Sequence, residues 1–169
     1  MSFKKYIIAF FVISILGTIG HFLYDLSSNN FIVGLFFPVN ESLWEHLKLL
    51  FFPTVIYSAF EYFLSKEKPK NYIFAILLST LCGLLAIVVG HYTLSGIIGR
   101  SYGVIDISLY YISVIIMLIK KRKLITNGNF GSKYSNIIFL GIAVIIAMLF
   151  MIWSYNPPSL AIFNPPIPE

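Results

Sequence analysis

Long apolar runs alternate with short polar or basic stretches along this chain. The pattern predicts membrane-crossing helices at about Tyr6 to Tyr24, Leu43 to Leu64, Tyr72 to Thr93, Val104 to Ile119 and Asn136 to Trp153. A crossing helix needs about 20 apolar residues, so the fourth run is short. Pro53 falls inside the second and predicts a kink, because proline donates no backbone hydrogen bond. The stretch Phe31 to Val39 is apolar but too short to cross. It is expected in the interface or as a re-entrant segment, where other parts of the protein must cover its backbone. After Trp153 come Pro157, Pro158, Pro165 and Pro166, which predict an extended tail. The expected fold is therefore an all-α integral membrane bundle of about five helices over residues 1–155, with a Pro-rich tail over 156–169. No internal repeat is visible, so an inverted-repeat transporter has no support.

Charge adds direction to this picture. Ten of the twelve basic residues lie in alternate connections: Lys4 and Lys5, then Lys66, Lys68 and Lys70, then Lys120 to Lys123, then Lys133. Only Lys48 and Arg100 lie in the other set. Positive charge marks the cytoplasmic side, which predicts an N-terminus inside and a C-terminus outside. Lys4 and Lys5 also precede the first run as in a signal peptide. That run is longer than a signal core and no small-residue cleavage site follows it, so it reads as a retained helix. With 58% hydrophobic and 11% charged residues and a mean hydropathy of +0.85, the chain falls far below the ~25% charge of soluble domains. Lipid is its expected solvent. The net charge of +5 belongs to these topological clusters, which argues against a nucleic-acid partner. The single cysteine, Cys82, lies in an apolar run and excludes an intrachain disulfide or a multi-cysteine zinc site.

On this topology the polar residues gather at one depth. His21 and Asp25 close the first helix; Glu41, Ser42, Glu45, His46 and Lys48 open the second. His91 closes the third and Asp106 opens the fourth. All three histidines and four of the seven acidic residues thus lie near the predicted outer face. Ionisable groups near a membrane core are costly and tend to pair or to serve a function. Helical spacing puts Ser14, Gly17, Thr18, His21 and Asp25 on one face, and Asp106, Tyr110 and Ser113 on another. Ser79, Gly83, Ala86 and Gly90 form a small-residue face for close packing. Plainer roles compete. Ser42-Leu43-Trp44-Glu45 fits a capping box, Trp44 fits an interfacial belt, Glu45 and Lys48 fit a local ion pair, and Arg100 suits a lipid phosphate. A capping box does not account for Glu41 and His46.

The segments His21-x-x-Tyr24-Asp25, Pro38-Val39-Asn40-Glu41-Ser42-x-Trp44-Glu45-His46-x-Lys48 and His91-Tyr92-Thr93 resemble a family of small bacterial membrane proteins of unknown function, mainly from Gram-positive organisms. The resemblance implies one fold and a place in the bacterial cytoplasmic membrane, and no chemistry. The inventory His21, His46, His91, Ser42 and Asp25 or Asp106 is also loosely similar to that of seven-helix membrane hydrolases that hold zinc through three histidines. Imidazole with carboxylate suits zinc and its neighbours.

The leading expectation is a metal-dependent hydrolase of a lipid-like substrate. A divalent metal such as zinc would sit on His21, His46 and His91. Glu41 or Glu45 would be the general base, and Asp25 or Asp106 would orient a ligand histidine. Two alternatives use the same residues: a carrier for protons, ions or small solutes, and a b-type haem protein with His21 and His91 as axial ligands.

Overall fold

The structure is a computed structural model that describes residues 3–65, 69–127 and 133–166; Lys66 and Lys68 of the second basic cluster fall outside them. The described residues form six α-helices and one 3-10 turn: α1 (Phe3–Leu26), α2 (Phe31–Phe36), α3 (Leu43–Leu64), α4 (Tyr72–Ile98), α5 (Gly103–Asn127), α6 (Lys133–Tyr155) and a turn at Ala161–Phe163. All but α2 are long and apolar enough to cross a membrane. The protein is thus a multi-pass membrane protein, as the hydropathy pattern predicts.

Helix α5 is longer than expected. Its apolar part ends near Ile119, but the helix continues through the basic run to Asn127. Lysine and arginine are good helix formers, and hydropathy marks where lipid ends rather than where hydrogen bonding does.

Helices α1, α3, α4 and α5 form a ring in which α1 packs on α3 and α5, and α4 packs on the same two. Helix α6 lies outside the ring against α4, α3 and α2. The core is apolar and includes Ile13, Leu50, Phe51, Val114, Met117 and Phe150. The small face of α4 packs as its spacing predicts: Gly83 lies against Leu50 and Met117, and Gly90 against Leu109.

One contact links three sequence features. Pro53 lies within α3 and cannot donate to the carbonyl four residues back, that of Leu49. Tyr110 of α5 supplies a donor. Its hydroxyl lies 3.1 Å from the Ile13 carbonyl and 3.4 Å from that of Leu49. Gly17 of α1 makes the room; a Cβ there would collide with the Tyr110 hydroxyl and stand 2.6 Å from the Leu49 oxygen.

The segment after α1 turns back at Ser28 and Asn29, both at positive φ (57° and 58°), and Asn30 caps α2 by accepting from Ile32 N and Val33 N. The segment is held against the bundle. Lys48 Nζ donates to the carbonyls of Gly34 (2.9 Å) and Phe37 (3.3 Å), and the Tyr155 hydroxyl donates to that of Phe31 (3.1 Å). The backbone cover expected for a short apolar segment is therefore present.

Trp44 packs against Phe150, Trp153 and Phe163. One sequence expectation changes. The tail is not wholly extended: its 3-10 turn buries Phe163 on that same cluster. Ile162 packs on the core beside it, so a short apolar run within the Pro-rich stretch docks the tail.

Candidate functional site

The loop from Pro38 to Ser42 carries Glu41 across the end of α1. Ser42 caps α3, accepting from Glu45 N (3.4 Å), and its own N–H donates to Asn40 Oδ1 (2.9 Å). The cap predicted from Ser42 is present; its reciprocal half is not, because Asn40 takes the place expected of Glu45. Glu45 is instead buried. Its Oε1 accepts from Ser154 Oγ (2.8 Å), and its Oε2 accepts from Val39 N (2.9 Å) and Lys48 Nζ (2.8 Å). The expected Glu45–Lys48 pair therefore exists, but inside the protein, where Lys48 is 0% and Glu45 1% exposed. Sequence spacing shows the pair, but it does not show that Ser154, 109 positions away, completes it.

Glu41 stays exposed and faces two imidazoles. Its Oε2 lies 3.3 Å from His46 Nε2 and its Oε1 3.8 Å from His21 Nε2. The two rings stack with centroids 5.2 Å apart. His46 Nδ1 lies 2.9 Å from the Ser42 carbonyl. A carbonyl can only accept, so Nδ1 carries a proton, and Nε2 is the ring nitrogen turned toward Glu41. A hydrogen bond of this kind behind a ligand histidine orients the ring and raises its basicity. His21 Nδ1 is buried and has no partner among the described residues.

One ligand atom from each of His21, Glu41 and His46 can be chosen so that all lie within 4.8 Å of one another. Two ligands ~2.0–2.1 Å from a tetrahedral zinc stand ~3.3 Å apart, which the Glu41–His46 separation already matches. Side-chain rotation would close the remainder.

The other expected residues are placed elsewhere. His91 is not a member of that group. Its Nδ1 lies 2.8 Å from Asp106 Oδ1, while Ser101 Oγ donates to Asp106 Oδ2 (2.7 Å). Asp106 thus contacts a histidine, but that histidine is His91, outside the His21–Glu41–His46 group. Asp25 is exposed, with its side chain outside both clusters. The two clusters share one end of the bundle, where α1 and α4 finish and α3 and α5 begin. Thr18 and Tyr111, 3.0 Å apart, join α1 to α5 between them.

The opposite end holds a group with no forecast from motif or spacing. Lys121 Nζ and the Tyr72 hydroxyl (2.6 Å) both donate to Glu61 Oε2, and the Lys121 ammonium also lies over the rings of Tyr57 and Tyr72. Lys121 reads in sequence as one of four basic residues in a row; only its helical phase turns it inward.

No curated protein and no solved structure matches this chain. A family model does match, over residues 1–168. The chain belongs to the family of unknown function DUF6512.

Proposed function

We propose that this membrane protein binds a divalent metal such as zinc through His21, Glu41 and His46 and uses it to hydrolyse a lipid-like substrate at that face of the bilayer. The observation that carries the reading is the convergence of two histidine Nε2 atoms on one exposed carboxylate. Three protein ligands with an open fourth position are typical of a catalytic zinc site, where the metal lowers the pKa of a bound water. His91, oriented by Asp106, is the proton-transfer group of this reading rather than a ligand. Glu45 has no part in it, because both its oxygens are engaged. The test is metal content of protein purified in detergent, before and after chelation. The reading predicts near-stoichiometric zinc that is lost in His46→Ala and Glu41→Ala. Wild-type protein without metal, or His46→Ala with unchanged metal, would sink it. A panel of acyl-ester lipids then tests hydrolysis.

A second reading, transport of protons or ions, draws support from polar groups along the bundle interior. Ser14, Thr54, Ser58, Ser113 and the Glu61–Lys121 pair are all buried, so buried polar groups continue along the bundle to the end opposite the histidines. Proteoliposome flux abolished by Glu61→Gln favours it; flux equal to that of empty liposomes removes it.

A further inference from the structure

Glu41 is exposed, and a glutamate side chain on a free loop samples many rotamers. Its place between two imidazoles therefore depends on the backbone that carries it, the loop from Phe37 to Ser42. That loop is tied down at both ends beside one of the two histidines. At its start the Phe37 ring lies over Gly20, the chain neighbour of His21; a Cβ at Gly20 would stand 2.7 Å from the ring. At its end the Ser42 carbonyl meets His46 Nδ1 (2.9 Å), and Ser42 N donates to Asn40 Oδ1 (2.9 Å).

Between those ends the holding groups come from one buried pair. Lys48 Nζ donates to Gly34 O and Phe37 O, and Glu45 Oε2 accepts from Val39 N. The backbone groups that the two side chains hold thus all lie at positions 34–39, shortly before Glu41. Ser154 Oγ of α6 fixes the other Glu45 oxygen. A buried ion pair adds little net stability over apolar residues of the same volume, because both charges lose their water. What this pair adds is direction. Its anion and cation, 2.8 Å apart, offer an acceptor to one N–H and a donor to two carbonyls, which no apolar pair can do.

We propose that Glu45 and Lys48 are the positioning residues of the histidine site: by fixing the backbone from Gly34 to Val39 they hold the Glu41 carboxylate at His21 and His46, and so set the affinity for a divalent metal. Glu45 acts on no substrate atom; it acts through the loop. Ser154 makes α6 part of the same support, although α6 brings no ligand. The consequence for metal rests on the proposed ligand set of His21, Glu41 and His46, whereas the placement of Glu41 stands apart from it.

Two measurements test this on the full chain in detergent. The first is zinc affinity, by competition with a chelator on protein that elutes as folded. Partners behind metal ligands are worth about 10–100-fold in affinity. Glu45→Gln/Lys48→Met keeps an acceptor for Val39 N, strands no charge and frees both carbonyls. It should weaken zinc within that range at unchanged stoichiometry. Ser154→Ala should weaken it about tenfold, and Ser154→Thr, which keeps the hydroxyl, should restore it; these two decide the matter if the double variant does not fold. Unchanged affinity overturns the proposal. So does a lower fraction of binding protein with native affinity in the remainder, which marks a role in folding alone. The second measurement needs no metal. It is the pulsed-EPR distance between spin labels at Glu41→Cys and Leu85→Cys, the latter exposed on α4, in a Cys82→Ala background. The distribution should be narrow with the native pair and broaden in Glu45→Gln/Lys48→Met and in Ser154→Ala; an unchanged distribution overturns the proposal. Wild-type protein without zinc removes the metal reading, and the labels then decide the placement of Glu41 alone, broadening for it and an unchanged distribution against it.

Discussion

Lys48→Met removes the ammonium that joins α3 to the short α2 segment. In the native protein Nζ serves Gly34 O, Phe37 O and Glu45 Oε2. Methionine has nearly the same volume and fills the space, so the loss is electrostatic. It leaves the Glu45 carboxylate, 1% exposed, without its counter-ion, and two carbonyls without their donor. Removing one partner of a buried pair costs about 3–5 kcal/mol, and the middle of that range is nearly three decades in the folded-to-unfolded ratio. The double variant Glu45→Gln/Lys48→Met removes the stranded charge while an amide can still accept from Val39 N. It should recover about 2 kcal/mol, a coupling of the size seen between residues in contact. Reversible unfolding in mixed micelles measures both, and a cysteine at Phe36 should label faster in the single variant as α2 detaches. A Lys48→Met cost below about 1 kcal/mol, or a double variant no more stable than the single, would refute the assignment of this pair as the clamp on the segment.

Three further outcomes follow from the same contacts. Tyr110→Phe leaves the Leu49 carbonyl freed by Pro53 without its donor and should cost about 1–3 kcal/mol in the same unfolding assay. Gly17→Ala should be at least as costly, since its Cβ meets the Tyr110 hydroxyl and the Leu49 oxygen. Asp106→Asn should leave metal content unchanged while lowering any hydrolytic activity about 10²–10⁴-fold; lost metal would instead place His91 among the ligands.

The sequence by itself determines the membrane architecture. Spans show in hydropathy because lipid cannot satisfy backbone groups, which forces each crossing into an unbroken apolar helix. Leu43–Leu64 is predicted to the residue, since Ser42 stops it at one end. The grouping of His21, Glu41 and His46 at one end of the bundle is also legible, because alternating helix direction places their chain positions at one depth. Depth, however, is one coordinate of three. Which helices adjoin, and which way each side chain turns, is decided by packing, and sequence periodicity constrains it only weakly where helices are apolar all round. Thus Glu45, a candidate base by its neighbours in sequence, is held in the interior by Ser154 of a distant helix. His91, grouped with the other histidines by depth, is paired with Asp106 across the α4–α5 seam. Lys121, one charge in a basic run, is turned inward onto Glu61. In each case the partner is remote in sequence and brought close by the ring order of the helices, which only the tertiary structure supplies.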